Sequence, residues 1–558
     1  METLFRRAIL ILLFFVLLIV LIGLLWWLFY CQCRPLCSYF RACGEQVGTV
    51  SSDLGRGTVP PHHVERGRFP HFDPPQDDYN DDSGRAVPDG PLRGTLAPTV
   101  KPSLLLKIEP NKQSVPPQGA AGDPVVFRQY DPLGTKAGGV GSPPDMNAAR
   151  NGNVILLSYN TAVLLSTDGA DYTLLDPTTI FPSGPAKDSS GNLLDRGLCC
   201  DQIVRYVPQI DRFVWLMQFC GSNATSCLQG VNKVRIAVAS TQDVIASGGT
   251  KWTYWDLTSA SVNIGASTMD YPDLSIGDNS LYFSADAVSG GGLLVVRMPL
   301  SDLQAGGTLN FQFTAPADSA LAYGGHITQN TGDTLFWAGH KDNSTIRVFS
   351  MAENSGQYSW RDIAIDSWPK GAAISSIAPD GKDWLSFGFP GNAVLGATRR
   401  TADEVWFAWT AGSNANFKNP HVRVLQLKVS DFSVVKQWDI WNDDYAFAYP
   451  SLATNGDGEV GISLGWGGGT FYGNNAVGIL GDFVVWYPEL SDAVLASSPI
   501  RFGDYFSVAR ATPTPTLFDA SGYAVFKNTP PATGTRVDPY YIQFGRDSAV
   551  NGGAPNLH

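Results

Sequence analysis

Asp145, Asp201, Gln202, Asp270, Tyr271, His326, Tyr449, Asp504 and Tyr505 stand near the heads of short apolar runs that begin near residues 145, 201, 270, 326, 394, 449 and 504. If those heads converge, carboxylates gather at one place and repel unless a cation or hydrogen bonds offset them. Oxygen ligands suit a hard cation, so Asp145, Asp201, Asp270 and Asp504 are candidates for a Ca²⁺ site. Glycoside hydrolysis needs two carboxylates about 5–10 Å apart, which makes Asp201, Asp270 and Asp504 catalytic candidates. Asp145, Gln202, Tyr271, His326, Tyr449, Arg501 and Tyr505 are candidates for ligand binding. The plainer alternative is that each Asp caps a neighbouring turn.

Other residues offer less. Cys220 and Cys227 flank a polar loop, GSNATS, between two strand-like runs, which is good hairpin-disulfide spacing. Adjacent Cys199 and Cys200 form either a vicinal disulfide or two buried thiols. The run Gly465–Tyr472 is glycine-rich and aromatic, but neither Lys-Ser/Thr nor a helix follows it, so it reads as a tight turn before a phosphate cradle. His326, His340 and His421 lie far from any G-x-S-x-G, so no Ser–His–Asp triad is legible.

The elements that would position these groups are strands. From about residue 123 short alternating runs are separated by Gly, Asp and Asn turns. They fall into groups of four at intervals of about 55–70 residues, the signature of β-propeller blades. The last group shows only three runs, and the isolated VVFRQY at 125–130 would supply its fourth, joining the two ends of the ring. The expected fold is all-β, a seven-bladed propeller, with six or eight blades or a pair of β-sandwiches as alternatives. In a propeller the first strands line the axis, so the residues named above would face one funnel.

Ser166-Thr-Asp168-Gly-Ala-Asp-Tyr172 resembles the Asp-box of sialidase-like propellers, although its aromatic falls one position early. The resemblance implies a capped turn on a blade periphery, with Asp168 bonding the hairpin backbone. Cys199–Gln202, Asp270-Tyr271-Pro272, Tyr449-Pro450, Gly467–Gly469 and Arg501–Tyr505 resemble bacterial secreted propellers related to the same families, over residues 140–546. That resemblance implies fold more than activity. Sialidases clamp a carboxylate with three arginines, and Arg205, Arg399, Arg400, Arg501 and Arg510 are the candidates here. The Arg-Ile-Pro motif that places the first of them is missing. Glutamate is scarce in the head, at Glu353, Glu404, Glu459 and Glu489.

Residues 8–30 run without a charge, long enough at 1.5 Å per residue to cross a bilayer, with Trp26, Trp27 and Tyr30 at one end. The expectation is a cytoplasmic tail at 1–7, a signal anchor at 8–30, a Cys-rich segment at 31–43, a Pro-rich disordered stalk at 44–120 and the head at 121–558. Cys31, Cys33, Cys37 and Cys43 would pair between copies; their spacing is poor for zinc. The disulfide loop places the head outside the cytoplasm, on a cell or virion surface. A net charge of −12 and only 16% charged residues argue against nucleic acid as a partner, while 44% hydrophobics leave ample core. Anchor, spacer and propeller together suggest a surface module recognising a glycan or a protein. The alternatives are a sialidase-like or other glycoside hydrolase, or a scaffold in a surface assembly.

Overall fold

Alternating apolar residues in runs of five to nine favour twisted antiparallel strands, and such sheets must bury both faces when they are apolar on both. The computed structural model satisfies this with seven sheets set around an axis. It describes residues 49–65, 68–73, 75, 92–93, 95–96, 105–107, 124–131, 143–160, 162–386, 390–482, 484–495, 502–528 and 534–546. The chain divides into two units, 1–49 and 50–558, and the fold described is that of the second.

Blade 1 comprises Asn147–Asn151, Val154–Tyr159, Ala162–Ser166 and Asp171–Leu175. Blade 2 comprises Leu198–Val207, Arg212–Phe219, Lys233–Ala239 and Trp252–Thr258, and blade 3 Met269–Ile276, Ser280–Ala287, Gly292–Pro299 and Leu309–Phe313. Blade 4 holds Thr334–His340, Thr345–Ala352 and Gln357–Ala364, with a single bridge from Ile327 to Trp337 at its inner edge. Blade 5 holds Val394–Thr401, Glu404–Ala411, His421–Lys428 and Val434–Ile440, and blade 6 Ala446–Thr454, Val460–Gly468, Phe471–Ile479 and Val484–Trp486. Blade 7 has Ser507–Arg510, Phe518–Lys527 and Thr535–Arg546 from the C-terminal part of the chain. Its fourth strand, Pro124–Asp131, comes from ahead of blade 1 and pairs antiparallel with Thr535–Arg546. The closure expected for residues 125–130 is therefore present.

Side chains from facing sheets fill the gaps between blades. Trp255 and Trp215 are buried between blades 1, 2 and 3, Trp337 between 3 and 4, Trp409 between 4 and 5, and Trp466 between 5 and 6. Each such ring contributes about 2–3 kcal/mol by leaving water.

Part of the expected stalk is structured. Val50–Asp53 pairs with the outer strand of blade 4, Gly55–Val59 with that of blade 3 and His62–Val64 with that of blade 2. Leu92–Arg93, Thr95–Leu96 and Leu105–Lys107 add to blades 1, 7 and 6. The N-terminal segment thus runs around the rim against the chain order of the blades. It lacks apolar periodicity because it needs no core of its own: the outer strands supply the hydrogen-bonding edge. Gly55 and Gly57 lie under the rings of Phe313 and Phe311, where a Cβ would collide. The remainder of 44–120, the run 8–30 and the cysteines of 31–43 lie outside the described residues. Among the described residues no helix is long and apolar enough to cross a membrane.

Candidate functional site

The leading ends of the inner strands do converge, as their register predicts. Bulges interrupt the inner strands of blades 2, 3 and 6 between Leu198 and Gln202, Asp270 and Asp273, and Ala448 and Ser451. Tyr271 and Tyr449 there adopt left-handed backbone, with φ of 54° and 53°, as does Asp145 ahead of the inner strand of blade 1, with φ of 41°. A bulge re-aims a side chain, and here it turns the two tyrosines into the protein. Tyr271, His326 and Tyr505 form a triangle of rings with centroids 5.1, 5.7 and 5.5 Å apart. The Tyr271 hydroxyl donates to the Asp504 carbonyl at 3.0 Å, and the Asp504 N–H donates to Asp145 Oδ1 at 2.8 Å. Asn160 donates to the other Asp145 oxygen at 3.1 Å. Burial, and then the neighbouring carboxylates, push the Tyr271 and Tyr505 hydroxyls well above their usual pKa. Trp384, Leu385, Phe502 and Phe506 pack into the same cluster.

The other residues expected at this funnel serve the fold. Gln202 accepts from the Trp215 indole at 2.9 Å and donates to the Tyr159 carbonyl at 3.2 Å. Asp270 accepts from Gln218 at 2.5 Å, and the Tyr449 N–H donates to Thr410 Oγ1 at 3.1 Å. Asp201 and Asp504 are buried. Among the described residues no group of three or more His, Cys, Asp or Glu is placed to hold a metal ion, so the calcium cage expected of Asp145, Asp201, Asp270 and Asp504 is not there. The physical reason is visible at Asp145: a backbone amide and a side-chain amide take the place a cation would fill. Arg501 lies outside the described residues.

The open space lies at the other mouth. Below the aromatic plug a chamber of about 10 Å³, the room of one water, is lined by Asn147, Arg205, Asp273, His326, Gln329 and Tyr505. Beyond it, at the trailing ends of the inner strands, is a cavity of about 330 Å³, whose walls include Arg150, Arg205, Gln209, Gln329, Asn330 and Arg510. Arg205 lines both spaces. Its Nη1 donates to Asn147 and to the Val204 carbonyl, and Asp273 is 3.8 Å from Nη2. Burial lowers the Arg205 pKa, opposed by Asp273 and Tyr505. Of the arginines expected to clamp an anion, Arg205 and Arg510 therefore share one cavity. Arg399 and Arg400 do not: they pair with Asp333 and Glu404. Arg150 and Gln209, at strand tails and not strand heads, are not among the residues expected from the sequence. Charged residues at strand tails in blades 1, 2 and 7 were the available signal.

Cys220–Cys227 is a disulfide, and of the two alternatives open for Cys199 and Cys200 the structure holds the disulfide; the four cysteines pack as one buried cluster. Asp168 accepts the N–H groups of Ala170 and Asp171 at 2.9 Å and the Ser166 hydroxyl at 3.1 Å, capping the hairpin as the Asp-box resemblance implied. Gly465–Tyr472 is a hairpin turn, with Gly468 and Gly469 at φ of 104° and 63° and the Trp466 ring buried.

No protein-family model and no curated protein matches the chain. Several solved structures are similar to it. A Mycobacterium tuberculosis puromycin-hydrolyzing peptidase is 12% identical with a TM-score of 0.32, over 71% of this chain and 50% of that one, so the chain spans about half its length. Penicillium chrysogenum α-L-arabinanase, complexed with arabinobiose, is 8% identical with a TM-score of 0.32, covering 72% of this chain and 93% of the enzyme. Trypanosoma rangeli sialidase is 13% identical with a TM-score of 0.32, over 68% and 59%. At such identities and TM-scores the likeness carries no functional argument, and function rests on the site itself.

Proposed function

We propose that this chain is a single-pass, membrane-anchored, extracytoplasmic β-propeller that acts as a surface recognition module for a glycan or protein ligand, and that the ligand enters the trailing-mouth cavity. The observation that carries this reading is the contrast between the two ends of the axis. The leading mouth is filled by buried rings and hydrogen-bonded carboxylates, whereas the trailing mouth holds an open cavity of about 330 Å³ with polar walls. Of the candidate carboxylates for hydrolysis, Asp201 and Asp504 are buried on the filled side, and Asp270 is half-buried there and accepts from Gln218. Two disulfides support an oxidising compartment. The apolar run 8–30 supports the anchor, and Cys31, Cys33, Cys37 and Cys43 would tie copies together beside it.

The test uses the full chain in detergent, on a glycan array and in a pull-down from surface-protein extracts. Binding that is lost when Gln209→Trp fills the cavity supports the reading; Gln209 is exposed, so the fold tolerates the change. Turnover of fluorogenic glycosides, or binding indifferent to Gln209→Trp, overturns it.

A further inference from the structure

The small chamber beneath the aromatic plug is walled by side chains from three blades that are not neighbours in the ring. Arg205 lies on the inner strand of blade 2, His326 ahead of blade 4 beside the Ile327–Trp337 bridge, and Tyr505 just ahead of the inner strand of blade 7. All are deeply buried, at 6%, 8% and 3% exposure. Each nevertheless holds a polar atom with no hydrogen-bond partner among the described residues: Arg205 Nε, His326 Nε2 and the Tyr505 hydroxyl. Buried polar atoms are nearly always paired, so three orphans around one chamber point to a ligand between them.

Other polar groups on the walls already have partners. Asp273 accepts from the Leu274 N–H at 2.8 Å, the Ile327 N–H at 3.2 Å and the Gln329 amide at 3.3 Å. Asn147 accepts from Arg205 Nη1, and Ser507 shares a hydrogen bond of 2.7 Å with Ser521. The rings of His326 and Tyr505 meet edge to face, with centroids 5.5 Å apart, and their orphaned atoms do not bond to each other.

Charge and size select the ligand. The Arg205 guanidinium is positive and only donates, so the ligand accepts a hydrogen bond and is not a cation. Asp273 lies 3.8 Å from its Nη2. Burial, and then the carboxylates of Asp201, Asp145, Asp504 and Asp273, keep the Tyr505 hydroxyl protonated. The same carboxylates oppose an anion. Burial also lowers the His326 pKa, opposed by Asp273 and Asp504 and helped by Arg205, so the ring is neutral and one nitrogen accepts. A volume of about 10 Å³ admits one water and nothing larger. Apolar voids of this size stay dry, whereas this one offers three polar partners, the number a buried water typically takes.

We infer that the chamber is the site of a single structural water that joins Arg205 Nε, His326 Nε2 and the Tyr505 hydroxyl, and so ties blades 2, 4 and 7 together across the axis. The water accepts from the Arg205 Nε–H and donates to His326 Nε2, which places the imidazole proton on Nδ1. With Nε held by the water and Nη1 by Asn147 and the Val204 carbonyl, the guanidinium is fixed where it also lines the trailing cavity. The site does not depend on what that cavity binds. Crystallography of the full chain in detergent tests it, at a resolution that places waters and with anomalous data for chloride. The expected result is a lone peak about 2.7–3.2 Å from all three atoms and no anomalous signal. A chamber without a peak, a chloride signal within it, or the three atoms bonded instead to other protein groups overturns the inference. Tyr505→Phe keeps the ring and removes one partner, so the peak weakens in that variant. A peak of native height there would show that the hydroxyl does not hold the water, and would equally overturn the inference.

Discussion

His340 and His421 show how burial sets charge. Desolvation, with Lys370 and then Arg423 nearby, pulls His340 down to about 3. Desolvation pulls His421 to about 3 as well, opposed by a backbone bond at Asn419 and helped by Arg423. Both imidazoles are neutral in the fold, while the unfolded chain takes up protons near pH 6.5. Their contribution is whole above about pH 6.5 and is lost as pH falls from there towards 3. Asp439, raised to about 6 mainly by burial, acts in the opposite sense between about pH 4 and 6. Urea midpoints at pH 7, 5 and 4 will therefore fall less steeply in His421→Phe than in the native chain; equal slopes would refute this. Asp168 is a smaller case. Burial opposes, but the amides of Ala170 and Asp171 and the Ser166 hydroxyl hold its carboxyl below the usual range. Asp168→Ala costs about 1 kcal/mol, as loss of a capping side chain does, read from denaturant curves at pH 7.

At the scale of elements, the rim segment and the hairpin disulfide carry separate predictions. Gly57 meets the Phe311 ring, so Gly57→Leu detaches the edge strand Gly55–Val59. Limited proteolysis will then cut within 50–64 in the variant while the blades stay resistant. Protection unchanged from the native chain would mean that the rim strands are not held by this contact. Cys220 and Cys227 close a short loop, with a sequence separation of 7. Replacing both by Ser lowers stability by about 2–3 kcal/mol on the chain-entropy account, measurable by urea unfolding. The hairpin disulfide was legible because spacing and flanking strands suffice to define it. The rim strands were not, since Val50–Val64 contains no apolar pattern and takes its conformation from edges hundreds of residues away.

At the scale of the molecule, closure decides cooperativity. Pro124–Asp131 ties the start of the head to Thr535–Arg546 at its end. A chain begun at residue 132 will unfold in a broadened or biphasic transition, because blade 7 loses its fourth strand. A chain begun at 121 keeps that strand and remains cooperative, although less stable for want of the rim strands. Calorimetry distinguishes the two, and identical sharp transitions would show that the ring does not depend on this closure.

The strand pattern marked the blades and the closing strand and favoured seven blades over six or eight, because period-two alternation and turn residues are local properties. It also placed Asp145, Asp270, His326 and Asp504 at one end of the axis. Only the tertiary structure decided that this end is filled. The plug is made by Tyr271, His326 and Tyr505, from blades 3, 4 and 7, whose rings meet through packing that no local spacing records. The same packing left the opposite mouth open, and there the tails of strands far apart in the chain bring Arg150, Arg205 and Arg510 to one cavity.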